Sequence, residues 1–299
     1  MSALAVLGLG ARAGGASFTV APAAAWVEEL PLPTDAVVPS REVTYGRYYL
    51  IDDFQAQVAT TTARYHRRAW QVLSTAGVQE ASEIRMDFDP SYERLIIHDV
   101  RLWRGGRNVR AFKPADVELL HQEDELSERI YNGSLTALVF LKDVRPGDIV
   151  DYAFTVEGDN PIMEGRYFDE AALAYGVPLR HRRYRVTLPA TRPLTVKAHR
   201  SSLEPEVRES GGRRTYTWEA RDVPALDVDE DLPDWYEPYP AIRVSEFRSW
   251  NEVARWARRL HLSQQRQPSP EVSALAARWR AAAGDEEGRA LQAIRFVQD

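Results

Sequence analysis

Six histidines, a run of acids between residues 227 and 234, and three aromatics just beyond it have the types that could do chemistry. His66, His98, His121, His181, His199 and His261 are scattered without metal-ligand spacing, which fits strand or surface histidines. Asp227, Asp229, Glu230, Asp231 and Asp234 offer the oxygen donors that calcium takes. Their run lacks the turn glycine and the register of a calcium loop, so it reads as an acidic, solvated linker. Trp235, Tyr236 and Tyr239 stand between prolines. They form either a platform for a carbohydrate or peptide or a plug between two parts of the chain, with the plug preferred. Asp148 and Asp151 lie close enough in sequence to pair with Arg145, a structural role. Arg180, Arg182, Arg183 and Arg185 surround His181, and a solvated strand face explains them better than a polyanion site. The chain has no cysteine, which excludes disulfides, thiolate nucleophiles and Cys-ligated zinc while leaving an oxidising compartment open. No nucleophile elbow occurs, so no Ser-His-Asp triad can be nominated. No catalytic, cofactor-binding or metal-binding residue is assigned.

The elements that must carry these residues are mostly strands. At 299 residues the chain is longer than most single cores, so two domains are expected. A composition of 44% hydrophobic and 27% charged residues is ordinary for a globular protein, and a net charge of −6 argues against nucleic acid as the main partner. The run SALAVLGLG at 2–10, followed by small residues, reads as a signal-peptide remnant or a disordered tail, although a positively charged n-region is missing. No other run approaches the length of a membrane span.

The organising stretch is 135–160. In Arg145-Pro146-Gly147-Asp148, proline presets φ and glycine accepts a positive φ, the pairing of a type II turn. Val150, Tyr152, Phe154 and Val156 then alternate with Asp151, Ala153 and Thr155, a strand with one buried face. Leu138 and Phe140 oppose Val139 and Leu141, a strand buried on both sides. The two are expected to pair as a central hairpin. Upstream, residues 21–40 run extended through four prolines, with Trp26-Val27 as an apolar anchor, and a strand covers 43–50. Asp52-Asp53 reads as a turn, and 54–73 as one long strand ending at 74–77. A short strand spans 84–88, and a second begins a hairpin at 95–103 whose loop places Gly105-Gly106 where a primed turn needs positive φ. Residues 114–129 are acidic, with helical spacing at Val117, Leu120 and Leu126, or an irregular strand. Residues 162–178 connect, and strands follow at 184–188, 194–199 and 215–220, the last two linked by Ser210-Gly211-Gly212. Residues 227–240 form an extended linker. After it, Ser249-Trp250-Asn251-Glu252 has the form of a capping box, with Trp250, Val253, Ala257 and Leu260 on one face. Ser269-Pro270-Glu271 opens a second helix with Val272, Leu275 and Trp279 inward, and Asp285 caps a third with Leu291, Ile294 and Val297 in register. This helix is still apolar near Asp299, which reads as a sequence boundary.

The segments WVEELPLP, YYLIDDFQAQV, FDPSYERLIIHDVRLWRGG, LKDVRPGDIVDYAFTVEGDNP, LPDWYEPYPAIRVSEFRSWNEVARW and ALQAIRFVQD, in that order, resemble the bacterial domain of unknown function 3857. The likeness runs from Phe18 onward. It implies an N-terminal antiparallel β-sandwich, immunoglobulin-like or larger, ahead of a papain-like transglutaminase core with a Cys-His-Asp triad, in an envelope-facing protein. This chain departs from that pattern because no thiol exists in it, so Cys-His catalysis is closed to it. The resulting expectation is a mainly β chain: a tail at 1–17, a β-sandwich at 18–240, and at 241–299 a helical segment that begins a transglutaminase-like domain. Its expected role is that of a periplasmic or secreted, non-catalytic module. It would position or regulate the downstream domain in cis, or bind a protein or peptide partner, with weak self-association through the helical tail. Two rivals remain: the N-terminal portion of an active cysteine protease or acyltransferase, and a glycan- or peptidoglycan-binding module.

Overall fold

The computed structural model describes residues 11–13, 16–33, 45–110, 112–121, 133–228, 231–233, 235–263, 268–282 and 284–298. Runs of Val, Ile, Tyr and Phe favour the pleated backbone, and sixteen strands form among the described residues. The strands are β1 (Ala11–Ala13), β2 (Ala16–Val20), β3 (Arg47–Gln57), β4 (Ala63–Val72), β5 (Glu83–Phe88), β6 (Glu93–Arg104), β7 (Arg107–Asn108) and β8 (Val117–His121). They continue with β9 (Leu135–Phe140), β10 (Ile149–Gly158), β11 (Phe168–Ala172), β12 (Leu179–Pro189), β13 (Thr195–His199), β14 (Glu206–Ser210), β15 (Arg213–Val223) and β16 (Ala241–Ser245). The helices are α1 (Thr75–Ala81), α2 (Trp250–Ser263), α3 (Pro270–Ala282) and α4 (Glu286–Gln298). Two compact units divide between Glu246 and Phe247.

The β unit is built on a ten-stranded mixed sheet, ordered β1-β2-β6-β10-β4-β3-β12-β15-β14, with β7 attached to β6. Strand pairing puts Val150, Tyr152 and Phe154 of β10 on the same face as Trp70 of β4, Phe54 of β3, Tyr184 of β12 and Trp218 of β15. Two three-stranded sheets cover that face. One, ordered β5-β9-β8, packs Ile84, Met86, Ala137 and Val139 against the β6-β10-β4 end. The other, ordered β11-β16-β13, packs Ala171, Ile242 and Val244 against Ala56, Tyr184, Val186 and Trp218. The fold is therefore mainly β and layered, as expected, with an open sheet far wider than an immunoglobulin domain.

Several expectations change. The turn at 145–148 forms, with Gly147 at φ +95° and the Asp148 amide donating to the Arg145 carbonyl at 3.0 Å. The strands either side of it do not pair as a hairpin. β9 lies between β5 and β8, while β10 lies between β6 and β4, so the turn carries the chain from one layer to the other. Both faces of β10 are buried, because Asp151 and Thr155 lie under cover as well, and Phe140 of β9 is exposed. The long strand at 54–73 is two strands joined at 58–62, and Asp52-Asp53 lies inside β3 rather than in a turn. The arginines around His181 are not a solvated face: His181, Arg182 and Arg183 are all buried. Residues 114–116 form a single 3-10 turn before β8, and the expected spacing at Leu126 lies outside the described residues. Ser210 to Gly212 joins β14 to β15, and β1, β2, β11, β14 and β16 were not anticipated, β1 and the start of β2 falling within the tail expected at 1–17. β16 pairs with β11 and β13, so the boundary expected at residue 240 moves to 246/247. The Gly105-Gly106 loop matches expectation, with φ of +55° and +76° between β6 and β7.

In the helical unit the three caps form. Ser269 Oγ accepts from the Val272 amide at 3.3 Å, Asp285 accepts from the Gly288 amide at 2.8 Å, and Ser249 Oγ accepts from the Glu252 amide at 3.3 Å. Glu252 returns to the Arg248 amide at 2.7 Å rather than to that of Ser249. Phe247 packs on Trp256, and Trp279 on Phe296. Trp250, Val272, Leu291 and Ile294 are exposed, so the apolar stripes are covered only in part. Val297 and Asp299 lie outside the described side chains, as do residues 1–10 and 43–44.

Candidate functional site

Two adjacent acids in β3 set up the polar interior. In a strand, Asp52 and Asp53 point to opposite faces, and both are buried. A buried carboxylate needs a partner, and the neighbouring strands supply arginines at matching register. On the face away from the small sheets, Arg183 grips Asp53 with two hydrogen bonds of 2.8 and 2.7 Å. Arg67 grips Asp151 of β10 in the same way, at 2.9 and 3.1 Å. These forks also catch the N-terminal segment 21–33 by its backbone. Arg67 donates to the Leu30 carbonyl at 2.6 Å, Arg183 to the Glu28 carbonyl, and Arg185 to the Trp26 carbonyl at 3.3 Å. The Gln55 amide imitates a strand partner, accepting from the Glu28 amide at 3.1 Å and donating to its carbonyl at 2.8 Å. Leu30 and Leu32 pack on Tyr48, Leu50, Ile51 and Ala69. The segment is thus a strap over a charged sheet face.

A cleft of about 410 Å³ opens beside the strap, lined by Tyr65, Arg67, His98, Arg101, Asp151 and Glu29 among others. His98 Nδ1 lies 2.8 Å from the Ala21 carbonyl and Nε2 lies 2.7 Å from Thr155 Oγ1. A carbonyl can only accept, so Nδ1 donates, and in the neutral ring Nε2 then accepts from the Thr155 hydroxyl. Burial lowers the His98 pKa, which favours that neutral form.

On the covered face, Asp52 accepts from Tyr175 Oη at 2.7 Å and from Arg68 Nε at 3.3 Å, with Arg182 at 3.7 Å. Burial alone would raise its pKa, but the charges of Arg182 and Arg68 and these hydrogen bonds bring it down to about 2. His66 stacks on Phe154 at 4.8 Å and meets Phe54 edge-on at 4.7 Å. Burial, with the nearby charge of Arg68, pushes its pKa down to about 3. These ionisable groups hold strands together, and each acid already has a donor.

The residues singled out in the sequence are spread over the β unit, apart from His261 in α2. Trp235 is 82% exposed and lies edge-on to Tyr236, 6.0 Å between ring centres. Arg200 lies 4.5 Å over the Tyr236 ring, and His199 Nε2 is 2.9 Å from the Glu237 carbonyl. Tyr236 and Tyr239 are half-buried. Asp227 and Asp231 carry no regular structure, while Asp229, Glu230 and Asp234 lie outside the described residues. No group of three or more metal-ligating side chains comes together among the described residues. Asp148 pairs with Arg104, at 2.8 Å to each oxygen, and accepts from the Arg145 amide. The Arg145 side chain turns to Asp143 instead, and Asp151 belongs to Arg67. His181 lies 3.6 Å from Glu219, and His121 and His261 are exposed. Sequence reasoning missed Asp53, Gln55, Arg67, Asp151 and Arg183 as a set. The available signal was an acid pair inside an apolar β run and an arginine pair inside another.

No curated protein matches the chain. Its fold is similar to that of a solved protein from Parabacteroides distasonis described as a "putative protease", with a TM-score of 0.71 at 14% identity. That likeness covers 85% of this chain and 50% of the other, so the chain spans about half of that protein's length. The family model named Domain of Unknown Function with solved-structure structure matches residues 59–227, from the β3–β4 connection to the end of the β unit's large sheet, more than half of the chain. The chain belongs to the DUF3857 family.

Proposed function

We propose that this chain is a non-catalytic β module of a transglutaminase-like protein working outside the cytoplasm, where it positions or regulates a downstream domain or binds a protein partner. The observation that carries this reading is the occupation of its buried ionisable groups. Asp53, Asp151 and Asp52 are each bonded by arginines, and the arginines are bonded again to the strap or to other carbonyls. A general acid or base needs a free face toward a substrate, and these groups use theirs for strand cohesion. The likeness to half of a longer protein described as a protease supports a companion domain. The apolar run at 2–10 supports export. Amide-hydrolysis and transamidation assays on the purified chain should match buffer. Turnover that follows the protein through a second purification would overturn the reading.

The exposed Trp235, edge-on to Tyr236 with Arg200 stacked beyond, favours glycan binding as a second reading, since aromatic faces suit sugar rings. Titration calorimetry with soluble peptidoglycan fragments separates the two. Heat that disappears in Trp235→Ala supports the glycan reading, and no heat with the wild type removes it.

A further inference from the structure

A second cleft, of about 420 Å³, opens on the covered face beside α1 and β5. Arg47 and Tyr49 of β3, Arg68 and Trp70 of β4 and Tyr152 of β10 form its floor; Gln79, Glu80, Glu83 and Arg85 form its wall. The acids on the wall are engaged, Glu80 by Arg47 at 3.4 Å and Glu83 by Arg85. On the floor, Arg68 touches Asp52 with its Nε at 3.3 Å while its side chain stays 44% exposed. The arginine therefore reaches the buried acid with one edge and keeps solvent access through the rest. Asp52 has two other partners besides Arg68, the Tyr175 hydroxyl at 2.7 Å and Arg182 at 3.7 Å. Arg47 and Arg68 thus bring two guanidinium groups to the floor, each tied to one acid, Glu80 and Asp52.

The floor also has donors to spare. Trp70 Nε1 and Arg47 Nε are buried and have no hydrogen-bond partner among the described residues. Both belong to side chains that line this cleft. A buried N–H without an acceptor costs free energy, which an oxygen would recover once the side chain turns that N–H toward the cleft. The Trp70 ring stands edge-on between Tyr49, at 5.7 Å, and Tyr152, at 5.3 Å, so apolar ring surface borders the donors.

We propose that this cleft binds a carboxylate carried on a short apolar peptide, with Arg68 and Arg47 around the anion and the ring edges of Tyr49, Trp70 and Tyr152 against its apolar part. Planar guanidinium groups match a planar carboxylate in two-pronged bonding. A volume of this size lies in the range of small-ligand sites.

The test is a nitrogen–proton correlation spectrum of the labelled chain, with the Trp70 indole resonance identified through Trp70→Phe. Adding N-acetyl-alanyl-phenylalanine should move that resonance downfield as the indole N–H gains an acceptor. Its C-terminal amide should bind at least about tenfold more weakly, and so should the acid to Arg68→Gln, a full decade in affinity. N-acetyl-glutamyl-phenylalanine amide separates the two sources of the same group. Binding as tight as the acid's assigns side-chain carboxylates too, and weaker binding assigns the chain terminus alone. Should Arg68→Gln fail to fold, the acid-to-amide comparison on the wild-type chain stands by itself. An indole resonance that stays in place overturns the proposal. So does an amide that binds as tightly as the acid, or inorganic phosphate that binds more tightly than either.

Discussion

Arg183 shows what the charged face costs to disturb. Its guanidinium holds Asp53, which is 1% exposed, and also anchors the strap at Glu28. Arg183→Met would leave a buried carboxylate with the Gln55 amide at 3.0 Å but without its charge partner. Breaking a buried pair from one side destabilises by about 3–5 kcal/mol. Urea unfolding should show a loss of that size, with protease cleavage appearing first within residues 21–33. A loss below about 1 kcal/mol would mean that the pair contributes little and that Arg67, Arg185, Gln55 and the leucines hold the strap without it. The covered face supplies a pH effect. His66 has a native pKa near 3 against an ordinary value of 6.5, so between these values the unfolded chain binds a proton that the folded chain does not. Asp52 titrates near 2 in the folded chain against an ordinary 3.8, so its contribution is present above the ordinary value and lost as pH falls toward 2. Both effects have the same sign: stability should fall as pH drops below about 6.5, and steepen below about 4. His66→Phe, which keeps a ring between Phe54 and Phe154, should flatten the first part of that fall and leave the second. Melting temperatures from pH 7 to pH 3 decide it, and an unchanged slope between pH 6.5 and 4 would mean that His66 is not held neutral.

At the scale of elements, the turn at Gly147 has a defined strain. With φ at +95° and nothing within 4 Å of where a Cβ would stand, Gly147→Val meets no steric neighbour and bears only the strain of the backbone conformation. The expected cost is about 1–3 kcal/mol, read from thermal or urea unfolding. A variant as stable as the wild type would mean that the turn relaxes to another conformation without disturbing β9 or β10. This turn was legible in the sequence because its requirement is local: one residue must accept positive φ, and glycine does. The same holds for Gly105-Gly106 and for the caps at Ser269 and Asp285. Strand partners were not legible. β9 and β10 are neighbours in sequence and belong to different sheets, a choice made by which apolar faces meet across layers. Asp52-Asp53 read as a turn because two acids disfavour a strand locally. What keeps them in β3 is a pair of arginines about 130 residues away, Arg182 and Arg183, brought alongside by the parallel β3–β12 pairing. The aromatic cluster of Trp235 and Tyr236 was visible from composition, whereas the cleft at Trp70 depends on α1 and β5 folding over β4, which no spacing announces.

At the scale of the whole chain, the two units should differ in how firmly they hold their hydrogen bonds. In the β unit, β10 and β4 are central strands of a ten-stranded sheet, bonded on both edges and covered by apolar clusters on one face and by the strap on the other. Their amides can exchange only when much of that packing opens. In the helical unit, α3 has no buried residue, and Trp250, Leu291, Ile294 and Phe296 remain exposed. Helices of 13 or 14 residues are near the length at which an isolated helix is marginal in water, so the caps at Ser249, Ser269 and Asp285 cannot hold them by themselves. Exposed apolar stripes of this kind also favour association once they exceed a few hundred Å² or so. Hydrogen exchange followed by mass spectrometry should therefore show fast exchange across 250–298 and slow exchange through β10 and β4. Raising the protein concentration should slow exchange in the helices selectively if a second copy covers the stripe. Equal protection in both units, in a chain that remains monomeric at every concentration, would mean that the helices have a core of their own that outweighs the exposure of Trp250 and Leu291.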